Sequence, residues 1–219
     1  MAGAHAAGRP RRGGGKVSAK SGKKRQGRIV AVEGTNGPAL AAETLALLKK
    51  LGGALKNCGL SRWDASNTFF ETRFAKPSVP LPSPRTLLLL YASDLAFRLR
   101  WEIEPAVKEG SLVIAAPFVD TAVALGTALG LPKKWLADLF SFAPRPEAVF
   151  RIPEKKKRWH RKYKPGDGFV EFCCSVLGNA YPFPDPADLR AGALDYLESL
   201  EDQKACRLLK KKALNALLD

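Results

Sequence analysis

The sequence contains no uninterrupted apolar run approaching 18 residues, so it predicts no membrane-spanning helix. It also contains no Cys-x-x-Cys pair and no histidine spacing suited to zinc; the four cysteines are Cys58, Cys173, Cys174 and Cys206. We therefore expect no metal centre, reduced and inert thiols, and a cytoplasmic setting. With 219 residues, 46% of them hydrophobic and 26% charged, the chain suffices for one domain with a substantial core.

Acidic residues are absent from residues 1–28, where nine lysines and arginines give a charge of +9. A second basic cluster, residues 151–164 (RIPEKKKRWHRKYK), holds eight basic residues and one acid, which gives +7. Because the whole chain carries +15, the remainder is close to neutral, at −1. Basic clusters attract phosphate-rich polymers and anionic surfaces. The favoured partner is therefore nucleic acid or another polyanion.

Residues 1–27 also lack the apolar centre of a secretory signal. We interpret them as a flexible, disordered basic arm that precedes one domain over residues 28–219. An organelle transit peptide, which is also arginine-rich and poor in acids, is the alternative.

Short apolar segments alternate with segments of helical periodicity along residues 28–219. The predicted strands are 28–33, 55–60, 111–116 and 148–152. The predicted helices are 38–51, 86–109, 120–129, 133–142, 169–181 and 188–218, the last with a candidate break near Gly192. Residues 74–85 contain four prolines and are predicted to form a loop. This alternation predicts an α/β fold in which a central parallel sheet is covered by helices on both faces.

Three segments, in their order along the chain, resemble the thymidylate kinase family. The stretch IVAVEGTNGPALAAET resembles that family's first strand and phosphate-binding turn, E-G-x-D-G-x-G-K-[ST]-T. Residues 87–114 resemble its long helix with an A-x-D-R core and the following I-x-P-A-L-x-x-G-x-x-V-I run, and APFVDTAVA lies where the family has D-R-[YF]-x-x-S-x-x-A. The resemblance covers about residues 28–205. It implies the three-layer P-loop NTPase fold of nucleoside monophosphate kinases.

The phosphate-binding turn departs from the family pattern. A P-loop needs backbone N–H groups around a phosphate, a lysine for the β- and γ-phosphates, and a Ser or Thr hydroxyl for Mg²⁺. Counted from Gly34, the second glycine falls on Ala39, the lysine on Leu40 and the hydroxyl on Ala41. Pro38 also removes one backbone donor. Either a residual anion site or a tight strand-to-helix turn remains. This degenerate P-loop comprises Glu33, Gly34, Asn36, Gly37, Ala39, Leu40 and Ala41.

A second set of family residues is also altered. Ala116-Pro117-Phe118 replaces D-R-[YF], and Leu95 replaces the arginine of A-x-D-R. Because phosphoryl transfer depends on positioning and charge stabilisation, these joint losses predict an inactive protein without a cofactor. By the resemblance, the candidates for nucleotide binding are Arg62, Asp94, Arg98, Phe118 and Asp120. The alternatives are structural hydrogen bonds for the two aspartates, and an exposed Arg62 beside a partly buried Trp63.

The second basic cluster lies where the family has its lid, here residues 153–168. Aromatic and basic side chains alternate in it, a combination suited to stacking on bases while neutralising a phosphate backbone. Contacts to phosphates within a lid and a solvated loop without a partner are the alternatives. The candidate contact residues are Lys155, Lys156, Lys157, Arg158, Trp159, Arg161, Lys162 and Tyr163.

The favoured hypothesis is an inactive thymidylate-kinase-like protein that acts as a binding or scaffold module for RNA or DNA. One alternative is an active kinase that phosphorylates thymidine monophosphate with ATP and Mg²⁺, using lysines of the lid-like segment. The other is a protein-interaction subunit that pairs with an active enzyme or with itself, through the helices that the family uses to dimerise.

Overall fold

The computed structural model describes residues 27–52, 58–63, 82–152, 168–177, 186–200 and 206–208. The strands in this part of the chain are β1 Arg28–Glu33, β2 Cys58–Arg62, β3 Leu112–Ala116, β4 Ala148–Arg151 and β5 Cys206–Leu208. The helices are α1 Gly37–Gly52, α2 Pro84–Arg98, α3 Glu104–Lys108, α4 Asp120–Ala128, α5 Lys133–Leu139, α6 Phe169–Leu177 and α7 Pro186–Ser199. A π-helical segment, Leu99–Ile103, joins α2 to α3.

The strands form one parallel sheet in the order β2-β3-β1-β4-β5. The central strand β1 is apolar and buried almost throughout, as a strand covered on both faces must be. In register, Ala31 lies beside Ala115 of β3 and Val149 of β4. The predicted α/β fold, a central parallel sheet flanked by helices, is confirmed.

The core divides into two layers because successive side chains of a strand point to opposite faces of the sheet. Val30 and Val32 face α1, where Leu40 and Leu47 are buried. Ile29 and Ala31 face the other layer. There the buried residues come mainly from α2, α4, α5 and α6. The two layers fix the start of α1 and the start of α4 at the same end of the sheet.

The long helical region begins slightly earlier than the periodicity predicts. Ser83 is its N-cap, and its side chain accepts a 3.2 Å hydrogen bond from the backbone N–H of Thr86. Pro84 occupies the first helical position, where a missing N–H costs nothing. The π-helical segment then adds a wider turn that keeps both Leu99 and Ile103 buried.

The predicted helix over residues 188–218 is wrong in its second half. Helix α7 ends at Ser199, and Cys206–Leu208 forms β5, paired in parallel with β4. Pairing with the edge of the sheet supplies hydrogen bonds that local helical periodicity does not reveal. The break near Gly192 is also wrong. Gly192 lies against α4, where an added Cβ would approach the Cβ of Ala128 to 3.3 Å, so this glycine permits close helix packing.

Several predictions concern residues outside the described ranges. These are the basic arm over residues 1–26, the lid-like residues 153–167 and most of the proline-rich loop over residues 74–85. Within the described residues, no helix is long and apolar enough to cross a bilayer.

Candidate functional site at the carboxyl edge of the sheet

The candidate site is the crevice beyond the carboxyl ends of β1 and β3. These strands are neighbours, yet β1 leads through α1 to β2 on one side, while β3 leads to β4 on the other. Open parallel sheets bind ligands at such a switch point. Here β1 ends at Glu33, a turn of three residues follows, and α1 begins at Gly37. On the neighbouring strand, β3 ends at Ala116 and α4 begins at Asp120.

The carboxylate of Glu33 ties the two strand ends together. It accepts hydrogen bonds from the backbone N–H groups of Phe118 (3.2 Å), Asp120 (3.0 Å) and Thr121 (3.0 Å), and from the Thr121 hydroxyl (2.6 Å). The backbone N–H of Gly34 also donates to Thr121 Oγ1, at 3.1 Å. Glu33 is therefore a buried cap for the N-terminus of α4.

The environment of Glu33 favours its protonated form. Burial raises its pKa from the ordinary 4.5 to about 7, and the nearby carboxylate of Asp120 adds to the rise. The hydrogen bonds from Thr121 and Asp120 oppose this effect.

The backbone donors at the start of α1 are held by groups of the protein itself. Gly37 N–H donates to Glu171 Oε1 of α6 at 2.6 Å. Ala39 N–H donates to the side-chain oxygen of Asn36 at 3.0 Å, an N-cap bond, and Leu40 N–H donates to the Asn36 carbonyl at 2.8 Å. These bonds use the donors that would otherwise be available to an anion at this helix N-terminus.

The beginning of α6 is packed directly onto this turn. An added Cβ at Gly168 would lie 2.8 Å from the Cα of Gly37 and 2.9 Å from the Glu171 carboxylate, so no larger residue fits. Beside this contact, Trp63 packs edge-on against Phe169 with ring centroids 5.5 Å apart, and Tyr91 lies 4.6 Å from the same ring. These aromatic contacts hold α6 against β2 and α2.

A further contact comes from α7. The buried Arg190 donates from Nε to the hydroxyl of Thr35 at 3.1 Å. Every residue of the turn Gly34–Asn36 is thus bonded to another part of the fold through its backbone or side chain. The arrangement makes a rigid junction between β1, α1, α4, α6 and α7.

Comparison with known proteins identifies the family. No protein-family model matches the chain. A Saccharolobus solfataricus protein named probable thymidylate kinase 2 is 26% identical over 153 residues, which is 67% of this chain and 71% of that protein. Probable thymidylate kinases of Pyrococcus horikoshii and Thermococcus onnurineus are 34% and 39% identical over 84 and 64 residues, 38% and 29% of this chain. The chain spans 41% and 31% of their lengths. The chain belongs to the thymidylate kinase family.

The fold agrees with this assignment. The crystal structure of thymidylate kinase from Ehrlichia chaffeensis matches with a TM-score of 0.58 and 16% identity, covering 87% of this chain and 97% of that one. The three-layer P-loop fold of the thymidylate kinase family is therefore the fold of this chain.

The side chains of the degenerate P-loop do not line the crevice as the thymidylate kinase motif would require. Leu40, at the position of the motif lysine, is only 5% exposed and packs in the core layer with Val30 and Val32. Ala39 and Ala41 are half-buried and carry no polar side-chain group. In the described residues, the start of α1 therefore presents neither an ammonium group nor a hydroxyl to a phosphate.

The candidate nucleotide-binding residues are separated rather than gathered into one pocket. Arg62 is exposed at the end of β2. Arg98 is buried, with Nε 2.8 Å from Asp94 and both terminal nitrogens 3.3 Å from the Pro117 carbonyl. Phe118 is buried, and its carbonyl accepts a hydrogen bond from the Tyr91 hydroxyl. Arg98 and Tyr91 thus hold the loop after β3 in place.

The sequence gave no sign of three residues that organise the site, namely Thr121, Glu171 and Arg190. Each is a polar residue near the start of a helix, which is an ordinary position for a solvated side chain. Only tertiary packing brings Glu171 and Arg190 to the turn after β1. The eight candidate contact residues of the lid-like segment lie outside the described ranges, and no group of three or more metal-ligating side chains converges within those ranges.

Proposed function

We propose that this member of the thymidylate kinase family does not transfer phosphoryl groups and serves as a binding or scaffold module for nucleic acid. The observation that carries the first half is the hydrogen bond from Gly37 N–H to Glu171. A carboxylate of the chain occupies the helix N-terminus at which a phosphate would be stabilised. With Leu40 buried in the core, no ammonium group replaces the missing lysine at this position.

The distribution of charge supports the second half of the proposal. The two basic clusters carry +9 and +7, whereas the rest of the chain is close to neutral. Trp159 and Tyr163 stand among the basic residues of the second cluster. Positive charge supplies affinity for a phosphate backbone, and aromatic rings add stacking on unpaired bases. Single-stranded RNA or DNA is therefore the proposed partner.

Calorimetry and a turnover assay test the loss of catalysis. Titration of the full chain with ATP, and separately with thymidine monophosphate, in the presence of Mg²⁺ should give no heat of binding. The same protein should form no thymidine diphosphate. Turnover that disappears when Lys155, Lys156 and Lys157 are replaced by alanine would overturn the proposal in favour of an active kinase that uses this segment.

A second candidate function, self-association, is favoured by one exposed face. Leu89, Phe97 and Trp101 are 50%, 62% and 66% exposed on the outer side of α2 and the π-helical segment. The rings of Phe97 and Trp101 lie 6.4 Å apart. Contiguous exposed apolar side chains of this size mark interaction surfaces. We propose a second copy of this chain as the occupant, since an isologous contact would bury the same face on both copies.

Sedimentation analysis tests the self-association. The full chain should sediment as a dimer, and Phe97→Glu with Trp101→Glu should convert it to a folded monomer. A monomeric native chain, or an unchanged dimer in the double variant, contradicts the assignment of this face.

A further inference from the structure

A cleft of about 330 Å³ lies beside the Glu33 junction, on the sheet face opposite α1. Its walls come from the start of α4, from β1 and β4, and from the loop that connects α5 to β4. The volume is in the range of natural small-molecule sites. It is large enough for one or two fused rings.

The apolar walls of the cleft are flat. Phe118 and Phe140, both almost fully buried, contribute aromatic surface, and Val149 of β4 lies between them and the sheet. Pro144 and Pro146 line the side formed by the connecting loop. Flat apolar walls select a planar ring over a flexible chain.

The polar groups of the cleft are mainly acidic. Glu33 and Asp120 both line it, close enough for the charge of Asp120 to act on Glu33. Glu147 also lines the cleft but forms an ion pair with Arg28 at 3.3 Å. The basic residue in the lining is the exposed Arg145. In a chain of net charge +15, this is a local excess of negative charge.

We infer that the cleft binds a small organic cation built on a flat apolar ring. The ring would lie against Phe118 and Phe140, and its charged or N–H-rich end would approach Glu33 and Asp120. Aromatic faces attract cations as well as apolar surface, so both parts of the lining favour the same ligand class. A metal ion is disfavoured, because no group of three or more metal-ligating side chains converges in the described residues.

The inference is independent of the proposed loss of catalysis, and a series of three isosteric probes tests it. Benzamidine carries a flat ring and a cationic amidine, benzamide is its neutral counterpart, and benzoate is its anionic counterpart. By ligand-observed NMR on the full chain, benzamidine should bind with a dissociation constant on the order of 1 mM, a value typical of so small a ligand. Benzamide should bind at least about tenfold more weakly, because it lacks the ion contact, and benzoate should not bind.

Two pairs of variants locate the binding. Ala143→Phe fills the cleft from its connecting loop and should abolish benzamidine binding, whereas Ser141→Phe adds the same ring at an exposed neighbouring position and should not. Asp120→Asn should weaken benzamidine binding several-fold without affecting benzamide, whereas Glu109→Gln at an exposed distant site should change neither.

Circular dichroism and thermal unfolding confirm that each variant is folded before its binding is compared. Equal binding of benzamidine and benzamide overturns the inference. So does benzamidine binding that survives Ala143→Phe in the folded variant.

Discussion

The carboxylate of Glu171 accepts a 2.6 Å hydrogen bond from the backbone N–H of Gly37, across 134 positions of the chain. Glu171 lies in the first turn of α6, and Gly37 is the first residue of α1. The contact therefore joins the N-termini of two helices through one buried carboxylate. A negative charge at this place is stabilised by the backbone donors and dipoles of the helices. The same physical property that would bind a phosphate is used here to hold the fold together.

Replacement of Glu171 by glutamine should destabilise the protein. The change keeps the size of the side chain but removes the charge and can direct an N–H₂ group toward the Gly37 donor. We expect a loss of about 1–3 kcal/mol in the free energy of unfolding, the usual range for a buried hydrogen bond to a charged group. Urea unfolding followed by circular dichroism measures it. Glu43→Gln, at an exposed position of α1, is the matched control and should change stability by less than about 0.5 kcal/mol. Equal effects of the two substitutions would contradict the structural role of Glu171.

The positions of the main strands could be predicted from sequence because they are recorded locally. Arg28–Glu33 and Leu112–Ala116 are short apolar runs next to glycine or a polar turn, which is the pattern of a buried parallel strand. The strand Cys206–Leu208 could not be predicted in this way. Its three residues are stabilised by pairing with β4, and the neighbouring sequence has helical periodicity.

The candidate site was predicted only in part, for a similar reason. The turn after Glu33 could be located from its glycines and its resemblance to a P-loop, and the missing lysine could be read at Leu40. That Leu40 points into a core layer, and that Glu171 replaces an external anion, depend on how α1 and α6 pack. Such contacts between distant segments leave no periodic signal in a single sequence.

The buried carboxylate of Glu33 predicts a specific dependence of stability on pH. Its pKa is about 7 in the folded protein and near 4.5 when the chain is unfolded, so the folded state holds more protons between these values. The resulting stabilisation is fully present below about pH 4.5 and is lost as the pH rises through about 7. The loss amounts to about 3 kcal/mol at most.

Comparison of the native protein with Glu33→Gln measures this effect. The difference in unfolding free energy, native minus variant, should fall as the pH is raised from 5 to 8, because only the native protein has the titrating group. Glu43→Gln should show a difference that is independent of pH over this range. A native protein that gains stability relative to Glu33→Gln as the pH rises would contradict the raised pKa.

Arg98 should prove to be a structural residue rather than a nucleotide ligand. Its guanidinium is 2% exposed as part of a buried residue and bonds to Asp94 and the Pro117 carbonyl. Arg98→Met should therefore cost about 3–5 kcal/mol of stability, because it leaves a partly buried carboxylate without its cation. Arg100→Met, two residues further along and exposed, is the matched control and should cost less than about 0.5 kcal/mol. A small effect of Arg98→Met on stability would remove the structural explanation and return this residue to the candidates for ligand binding.

The proposed contact with nucleic acid predicts how affinity varies with salt. A variant that replaces Lys155, Lys156, Lys157, Arg158, Arg161 and Lys162 with glutamine should bind labelled single-stranded RNA or DNA more weakly. The slope of log affinity against log salt concentration should fall by about 0.7 for each phosphate contact that is lost. The control removes the same amount of charge from six exposed positions of the described surface, Lys49, Lys50, Arg100, Lys108, Lys133 and Lys134.

Aromatic substitutions separate specific contact from a general effect of charge in the same assay. Trp159→Leu with Tyr163→Leu should weaken binding to single strands by about 1–3 kcal/mol per stacked base while leaving the salt slope unchanged, because stacking involves no counterion release. Equal losses in the cluster variant and its charge-matched control would show that net charge alone is responsible. In that event, or if the native chain binds neither RNA nor DNA, the basic cluster at residues 151–164 is not the nucleic-acid contact.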